Sequence, residues 1–238
     1  MKKILLYTAV AALTFTTSCR RDEVEVIEIG TQNTYDDQAA QRFLTEHYLD
    51  DQGNLLQYST ATTDDDNEPS LATYPQETLP SGVIIITRPS AQPVPGKAIG
   101  NSDILTLMHR TITYVARKDD NDGVVKYLAG STLANTISGT GMPEKNPFFY
   151  YAGSSVRNGR DRSFYEIEGF REAVQKFKSY EIPETSNYNL QGVIIVPSRA
   201  AYARDENPFD QGNIVFHDRS FVFNFQIYKT EERPANDL

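Results

Sequence analysis

Two segments decide the fold: Gly192-Val193-Ile194-Ile195-Val196-Pro197-Ser198-Arg199-Ala200-Ala201-Tyr202 and Ser220-Phe221-Val222-Phe223-Asn224-Phe225-Gln226-Ile227-Tyr228. Each carries aliphatic or aromatic residues at alternate positions, which is typical of a β-strand. The segments lie close together near the C-terminal end, and a turn beginning at Pro197 follows the first. The sequence therefore predicts two strands near the end of a β-rich domain.

The chain between Ser81 and these two strands is also dominated by strand patterns. One helix is predicted at about residues 166–178, because apolar residues recur there at helical spacing. A single helix among five or six strands predicts an α+β domain with the helix packed on an antiparallel sheet. The predicted strands are 82–87, 103–115, a return strand at 124–128 after the hairpin turn 119–123, and 146–153.

A second helix is predicted at about residues 35–49, ahead of the strand-rich region. Thr34-x-x-Asp37 resembles a capping box, and Phe43, Leu44 and Tyr48 then form an apolar stripe. The stripe must be buried, so we expect this extension, residues 34–80, to pack on the domain or to form a homodimer. Its acidic run at 64–68 lacks the alternation and the glycine of a calcium loop, which favours a solvated loop.

The N-terminus has the pattern of a lipoprotein signal. Lys2 and Lys3 precede an apolar stretch of about a dozen residues, which is too short to span a bilayer. Cys19 is the only cysteine and follows that stretch after Thr16-Thr17-Ser18, which resembles a lipobox and indicates a lipidation site after a signal peptide at residues 1–18. Thr16 replaces the leucine usual in such a motif, and the alternative is a secretory signal with an incidental cysteine. Residues 19–33 are predicted to be a tether.

The acidic residues after Cys19 resemble the surface-export signal of Bacteroidetes lipoproteins, and a solvated tether is the alternative. The expected location is the cell envelope, with the chain anchored by lipid to the outer membrane on its periplasmic or surface side.

Composition and residue spacing argue against several other functions. The formal charge of −9 disfavours binding to nucleic acid. His47, His109 and His217 show no metal-ligand spacing with each other or with the cysteine, so we expect no metal and no cofactor. His217, Asp218 and Ser220 are too close in sequence to converge from separate elements as a hydrolase triad would. The chain has 14 Tyr and 12 Phe, which suits a site built from apolar rings.

The two C-terminal strands and the Pro-Ser-x-x-Ala-Tyr turn resemble the end of the FKBP-type peptidyl-prolyl cis-trans isomerases. The resemblance covers about residues 81–231, and it implies an FKBP-like antiparallel sheet wrapped around one short helix over residues 81–232. Pro147-Phe148-x-Tyr150-x-x-Gly153 is similar to a strand that lines the family's proline pocket. Glu166-Ile167-Glu168-Gly169-Phe170 is similar to the segment that carries its pocket floor.

The resemblance also implies roles for individual residues. The backbone N–H of Ile167 would hold the substrate carbonyl, the hydroxyl of Tyr202 would bond the substrate, and Phe223 would line the pocket. The implied substrate-binding positions are Phe148, Phe170, Ile214 and Tyr127.

The sequence departs from the family in ways that bear on activity. The aspartate expected after the hairpin is missing, and Phe170 stands where the family has Trp, a residue this chain lacks. The pattern is also similar to divergent FKBP-like lipoproteins of gliding Bacteroidetes. The implied function is prolyl isomerisation of proline-containing polypeptide clients at the envelope. A non-catalytic FKBP-like chaperone or accessory subunit, and a structural lipoprotein without a prolyl pocket, are the alternatives.

Overall fold

A computed structural model describes residues 27–139, 141–145, 153–209 and 215–237. The strands are β1 (His47–Leu49), β2 (Leu55–Gln57), β3 (Gln76–Thr78), β4 (Ile84–Thr87), β5 (Lys97–Ala98), β6 (Ile104–Lys118), β7 (Val125–Asn135), β8 (Glu144–Lys145), β9 (Lys178–Ser179), β10 (Gly192–Val196) and β11 (Arg219–Glu231). The helices are α1 (Ile29–Glu46), α2 (Ser154–Arg157), α3 (Arg162–Tyr165) and α4 (Glu168–Val174).

The described strands form one large antiparallel sheet and two small two-stranded ones. The large sheet runs β3-β4-β10-β11-β6-β7, and β8 pairs with the free part of β6. The two segments that decide the fold are its neighbouring strands β10 and β11, with Ile194 opposite Phe223. Strand β10 ends at Val196 because Pro197 has no N–H to donate to the ladder. These pairings confirm the predicted α+β class.

The face of the sheet that carries α4 holds the larger apolar core. Helix α4 begins close to its predicted start but ends at Val174, four residues earlier than expected. The backbone N–H groups of Lys176 and Phe177 close a tight turn there, and the chain then enters β9. The residues whose spacing predicted the helix are nevertheless all buried: Ile167, Phe170, Ala173, Val174 and Phe177.

The opposite face of the sheet is covered by α1. The helix was predicted, but its boundaries were wrong, since it begins at Ile29 inside the predicted tether and ends at Glu46. Phe43 and Leu44 are buried against the sheet, whereas Tyr48 lies in β1 and stacks on Tyr58.

The capping-box interpretation of Thr34 and Asp37 was wrong. Thr34 lies within the helix, where its hydroxyl donates to the carbonyl of Gly30 at 3.0 Å. Residues 34–80 share the core of the α1 face with the sheet, and they supply the edge strand β3.

The other predicted strands differ from the observed ones in where they end. Strand β6 is longer than expected at its C-terminal end, and the return strand β7 extends to Asn135. The strand predicted at 146–153 lies mostly outside the described residues, and its last residue, Gly153, precedes α2. No helix in the described ranges is long and apolar enough to cross a membrane. The predicted signal peptide and Cys19 lie outside those ranges.

Candidate functional site

An aromatic cluster occupies the centre of the α4 face. The rings of Phe170 on α4 and Phe223 on β11 stack with their centroids 4.1 Å apart. Phe225 meets Phe170 edge-on at 6.1 Å. The alternation of β11 places Phe223 and Phe225 on this face, and the helical spacing of α4 brings Phe170 down onto them. The sequence-predicted residues Phe170 and Phe223 therefore lie together.

Gly169 allows α4 to approach the sheet this closely. A Cβ atom at this position would lie 2.7 Å from Val83 and 2.8 Å from Val196, closer than side-chain atoms tolerate. Gly169 is therefore required for packing, because the absence of a Cβ lets Phe170 reach the rings of β11.

Tyr202 closes one side of the cluster. It follows the 3-10 turn Ser198–Ala200, and its ring meets Phe221 edge-on at 6.0 Å. Its hydroxyl donates to the carbonyl of Tyr165 at 2.8 Å. Burial raises the pKa of Tyr202, and the charge of Glu166 raises this pKa further. The hydroxyl is thus neutral and already has an acceptor inside the protein.

Ile167 caps the N-terminal end of α4 and is fully buried. Its backbone N–H donates to no acceptor among the described residues. The first N–H groups of any helix lack an intrahelical partner, so a free donor here is an ordinary consequence of the helix start. This donor belongs to the same segment as Phe170.

A buried carboxylate that the sequence analysis did not single out fixes this segment. Glu166 is almost fully buried and accepts from Arg162 at 2.7 Å and from Arg171 at 3.5 Å. A buried charge is tolerated when it is paired and hydrogen-bonded. The two arginines come from α3 and α4, so Glu166 fixes the relative position of the helices on either side of Ile167.

Tyr127 is not brought to the aromatic cluster. The hairpin register places it opposite Ala116 on β6, and its ring stacks on Tyr114 at 5.3 Å beneath α1. It therefore lies on the other face of the sheet from Tyr202 and Phe223. Burial raises the pKa of the Tyr127 hydroxyl. Phe148 and Ile214, the two remaining substrate-binding positions, lie outside the described residues.

His109 occupies a buried polar position on the α4 face of β6. Its Nδ1 lies 2.8 Å from the hydroxyl of Thr111, and its Nε2 lies 2.8 Å from Glu144 on β8. The hydrogen bond from His109 lowers the pKa of Glu144. The hydrogen bond between His109 and Glu144 joins β6 to β8 in addition to their backbone pairing.

The other groups considered for chemistry have structural partners. Asp218 accepts from Arg204 at 2.8 Å, and the buried Ser220 donates to Asp36 at 3.3 Å. Within the described ranges no group of three potential ligands is arranged to hold a metal ion. An open cleft of about 630 Å³ borders α4 beside Arg171 and Arg199, but none of the cluster's rings lines it.

Comparisons with known proteins give only distant likenesses. No protein-family model matches the sequence, and no curated protein is significantly similar to it. FkpA from Escherichia coli is similar in structure at 15% identity and a TM-score of 0.38, over 67% of this chain and 53% of that one. A multi-domain immunophilin from Arabidopsis thaliana is similar at 13% identity and a TM-score of 0.40, over 68% and 47%.

A peptidyl-prolyl cis-trans isomerase from Pseudomonas syringae pv. tomato is similar at 11% identity and a TM-score of 0.37, over 87% of this chain and 98% of that one. The match spans about half the length of the first two proteins. Similarity at this level establishes neither a family nor an activity.

Proposed function

We propose that this chain is an FKBP-like protein that binds proline-containing polypeptide segments at the α4 face of its sheet and isomerises their prolyl bonds. One observation carries the proposal. Ile167, Phe170, Tyr202 and Phe223, which the resemblance assigns to the site, converge in one apolar cluster. Three of them offer apolar surface or a backbone donor, and the fourth offers a tyrosine hydroxyl.

Such a cluster suits the chemistry of prolyl isomerisation. Rotation about a peptide bond has a barrier of about 18–20 kcal/mol because resonance keeps the bond planar. The twisted transition state loses that resonance and is less polar, so an apolar pocket favours it over the planar amide. A thousandfold acceleration requires only about 4 kcal/mol, which apolar contacts and two oriented donors can supply without acid–base residues.

The reaction would require the cluster to open. Phe170, Phe223 and Tyr202 are at most 2% exposed, so a prolyl ring has no access to them in the arrangement described. The hydroxyl of Tyr202 would also have to break its hydrogen bond to the carbonyl of Tyr165 and donate to a carbonyl of the substrate instead. Opening costs free energy and lowers the fraction of competent molecules, so we expect weak activity.

A protease-coupled assay on short Xaa-Pro-Phe peptides tests the proposal. The wild-type protein should accelerate prolyl exchange above the uncatalysed rate, and Tyr202→Phe should lower kcat/KM about tenfold, the worth of one hydrogen bond. Tyr228→Phe is the matched control, because it removes another buried hydroxyl that donates to a backbone carbonyl, that of Ser186. Exchange at the uncatalysed rate across several Xaa-Pro peptides would overturn the enzyme proposal.

A non-catalytic binding module is the second candidate, and the closed cluster favours it. The Tyr202–Tyr165 hydrogen bond satisfies the group that would orient a substrate. The missing aspartate and tryptophan point the same way. A proline-rich peptide can be titrated into the protein while its backbone amide NMR signals are recorded. Saturable changes in these signals, without faster prolyl exchange, would support a chaperone or accessory subunit. A protein that neither binds such peptides nor accelerates exchange would be a structural lipoprotein.

We also propose that the protein works at the cell envelope, anchored by lipid at Cys19 and in contact with unfolded or exported polypeptides. The signal-like N-terminus supports the location, and the similarity of the sequence pattern to Bacteroidetes lipoproteins supports the anchoring.

A further inference from the structure

Two arginines at the end of the α4 face differ from most others in the protein. Neither Arg117 nor Arg219 makes an ion pair with a carboxylate of the described residues. This is unexpected in a chain of formal charge −9, where carboxylates outnumber cations. The arginines that do pair with carboxylates are Arg42, Arg160, Arg162, Arg171, Arg199, Arg204 and Arg233.

The register of the sheet places these two cations side by side. Arg219 on β11 lies opposite Val115 on β6, and Arg117 is two residues further along β6. Arg117 and Arg219 therefore point to the same face as diagonal neighbours, at a spacing of roughly 7–8 Å that long side chains readily bridge. Desolvation lowers the pKa of Arg219, and the charge of Arg117 lowers it further. The two like charges repel, and neither forms an ion pair with a carboxylate of the described residues.

A β-bulge opens a cleft beside this pair. The β6–β7 register shifts between Thr113 and Val115, and Ala129 in the bulge has a φ of 49°. This conformation is unfavourable for a residue with a Cβ. The carbonyl of Ala129 accepts from Arg219, whose Nη1 lies 3.3 Å away. Both arginines line an open cleft of about 700 Å³.

The acidic residues of the adjoining hairpin do not neutralise the pair. Asp119 accepts from Lys126 at 2.5 Å, and Asp122 accepts from the same lysine at 3.0 Å. Asp120 is exposed and lines the cleft, but it forms no ion pair with either arginine in the described structure. Lys126 thus pairs with Asp119 and Asp122, and neither arginine is paired with a described carboxylate of the hairpin.

We propose that this cleft binds a phosphomonoester through Arg117 and Arg219. A phosphate dianion offsets both charges at once, and its oxygens match the forked donors of guanidinium groups. The cleft is larger than a phosphate ion requires, so it leaves room for the organic part of the ligand. The site is independent of the proposed prolyl function, because neither arginine belongs to the aromatic cluster.

Isothermal titration of the full chain at constant ionic strength tests the proposal, with inorganic phosphate, phenyl phosphate and acetate as probes. Phosphate and phenyl phosphate should bind saturably and acetate should not. Arg117→Gln and Arg219→Gln should each weaken binding about tenfold or more. Arg160→Gln is the matched control, since Arg160 is an exposed arginine already paired with Glu206 and should leave affinity unchanged.

The comparisons between probes and between variants each support or contradict the proposal. Tighter binding of phenyl phosphate than of phosphate supports a phosphomonoester, and equal binding overturns a role for the organic part. Equal binding of acetate, or an unchanged affinity in both arginine variants, overturns the site. Arg117 is exposed, so its variant should fold even if the half-buried Arg219 proves necessary for folding. Asp120→Asn removes an exposed negative charge that lines the cleft and should strengthen binding; weaker binding would contradict the geometry.

Discussion

At the scale of single residues, Asp36 connects α1 to the turn that precedes Tyr202. Its carboxylate is fully buried and accepts from both the N–H and the hydroxyl of Ser198, at 2.9 and 2.5 Å. It also accepts from Gln32 at 3.0 Å and from Ser220 at 3.3 Å. Buried polar groups are stable when their hydrogen bonds are made, and here one carboxylate links a helix, a turn and a strand.

Asp36→Asn should lower the free energy of unfolding by about 1–3 kcal/mol. Asparagine keeps only one acceptor oxygen. In either orientation its NH₂ group faces a donor, which is the N–H of Ser198 on one side and the side-chain amide of Gln32 on the other. Asp37→Asn is the control, because Asp37 is exposed and its ion pair with Arg199 contributes less than about 1 kcal/mol. Denaturant unfolding measures both, and equal effects would contradict the role of the buried network.

The pH dependence of stability should also depend on Asp36. Burial raises its pKa above the ordinary value, with the hydrogen bonds from Ser198 and Gln32 opposing the rise. A carboxyl whose pKa is higher in the folded state stabilises the fold below its unfolded pKa, and this contribution is lost as pH rises through the folded pKa. The stability advantage of wild type over Asp36→Asn should therefore shrink as pH rises from acid toward neutral. An advantage that grows with pH would show that the hydrogen bonds outweigh desolvation.

The sequence predicted part of the site at this scale. The helical spacing of Ile167 and Phe170 and the alternation of Phe223 predicted apolar residues, and the resemblance brought them together with Tyr202. Tyr127 could not be placed in the same way, because the face of a strand residue depends on hairpin register, which sets it opposite Ala116. Glu144, which bonds His109, and Ser198 and Ser220, which bond Asp36, are distant from these residues in sequence, so no local pattern predicts the contacts.

At the scale of elements, α1 shows why helix type is easier to predict than helix boundaries. Its apolar stripe was visible in the sequence, and the buried Phe43 and Leu44 confirm it. Its start was not visible, since Glu28 at the N-cap makes no side-chain capping bond. Thr34 and Asp37 form a motif that suits a helix start but lies inside the helix, where tertiary contacts decide the outcome.

Phe43→Ala should lower the free energy of unfolding by about 3–5 kcal/mol, because a buried ring is lost from a closed core. The ring stacks on His47 with centroids 3.6 Å apart and meets Tyr114 and Tyr127 edge-on. Ile29→Ala is the control on the same helix, since Ile29 is 61% exposed. Thermal or denaturant unfolding would show the difference.

Similar stabilities for the two variants would mean that α1 contributes little to the fold of a single chain. That result would favour the expectation that the extension forms a homodimer, which the mass of the protein in solution would then test.

At the scale of the whole molecule, the strand order joins distant parts of the chain. The alternating segments predicted the strands β4, β6, β7, β10 and β11 but not the order in which they pair. They did not predict that β4 pairs with β10, because that pairing joins residues more than a hundred positions apart in the sequence. They also did not predict the short edge strand β3, whose exposed residues carry no apolar alternation. Those pairings make α1 and the residues following it part of the same core as the sheet.

Membrane attachment of the whole protein should depend on Cys19. Removal of residues 1–18 takes away Lys2 and Lys3 and lowers the formal charge from −9 to −11. A chain this acidic is repelled by anionic lipid surfaces, so electrostatic adsorption cannot replace a lipid anchor. Acyl chains on Cys19 would hold the protein by burying hydrocarbon in the bilayer.

Cys19→Ser should therefore move the protein from the membrane fraction to the soluble fraction, measured by fractionation of cells that express the full chain. Thr17→Ser, a conservative change two residues earlier, is the control and should leave the protein with the membranes. Mass spectrometry of the wild-type N-terminus should find acyl groups on Cys19. A Cys19→Ser protein that stays with the membranes after removal of residues 1–18 would contradict lipidation. Attachment would then have to come from an apolar surface of the folded domain or from a membrane-bound partner.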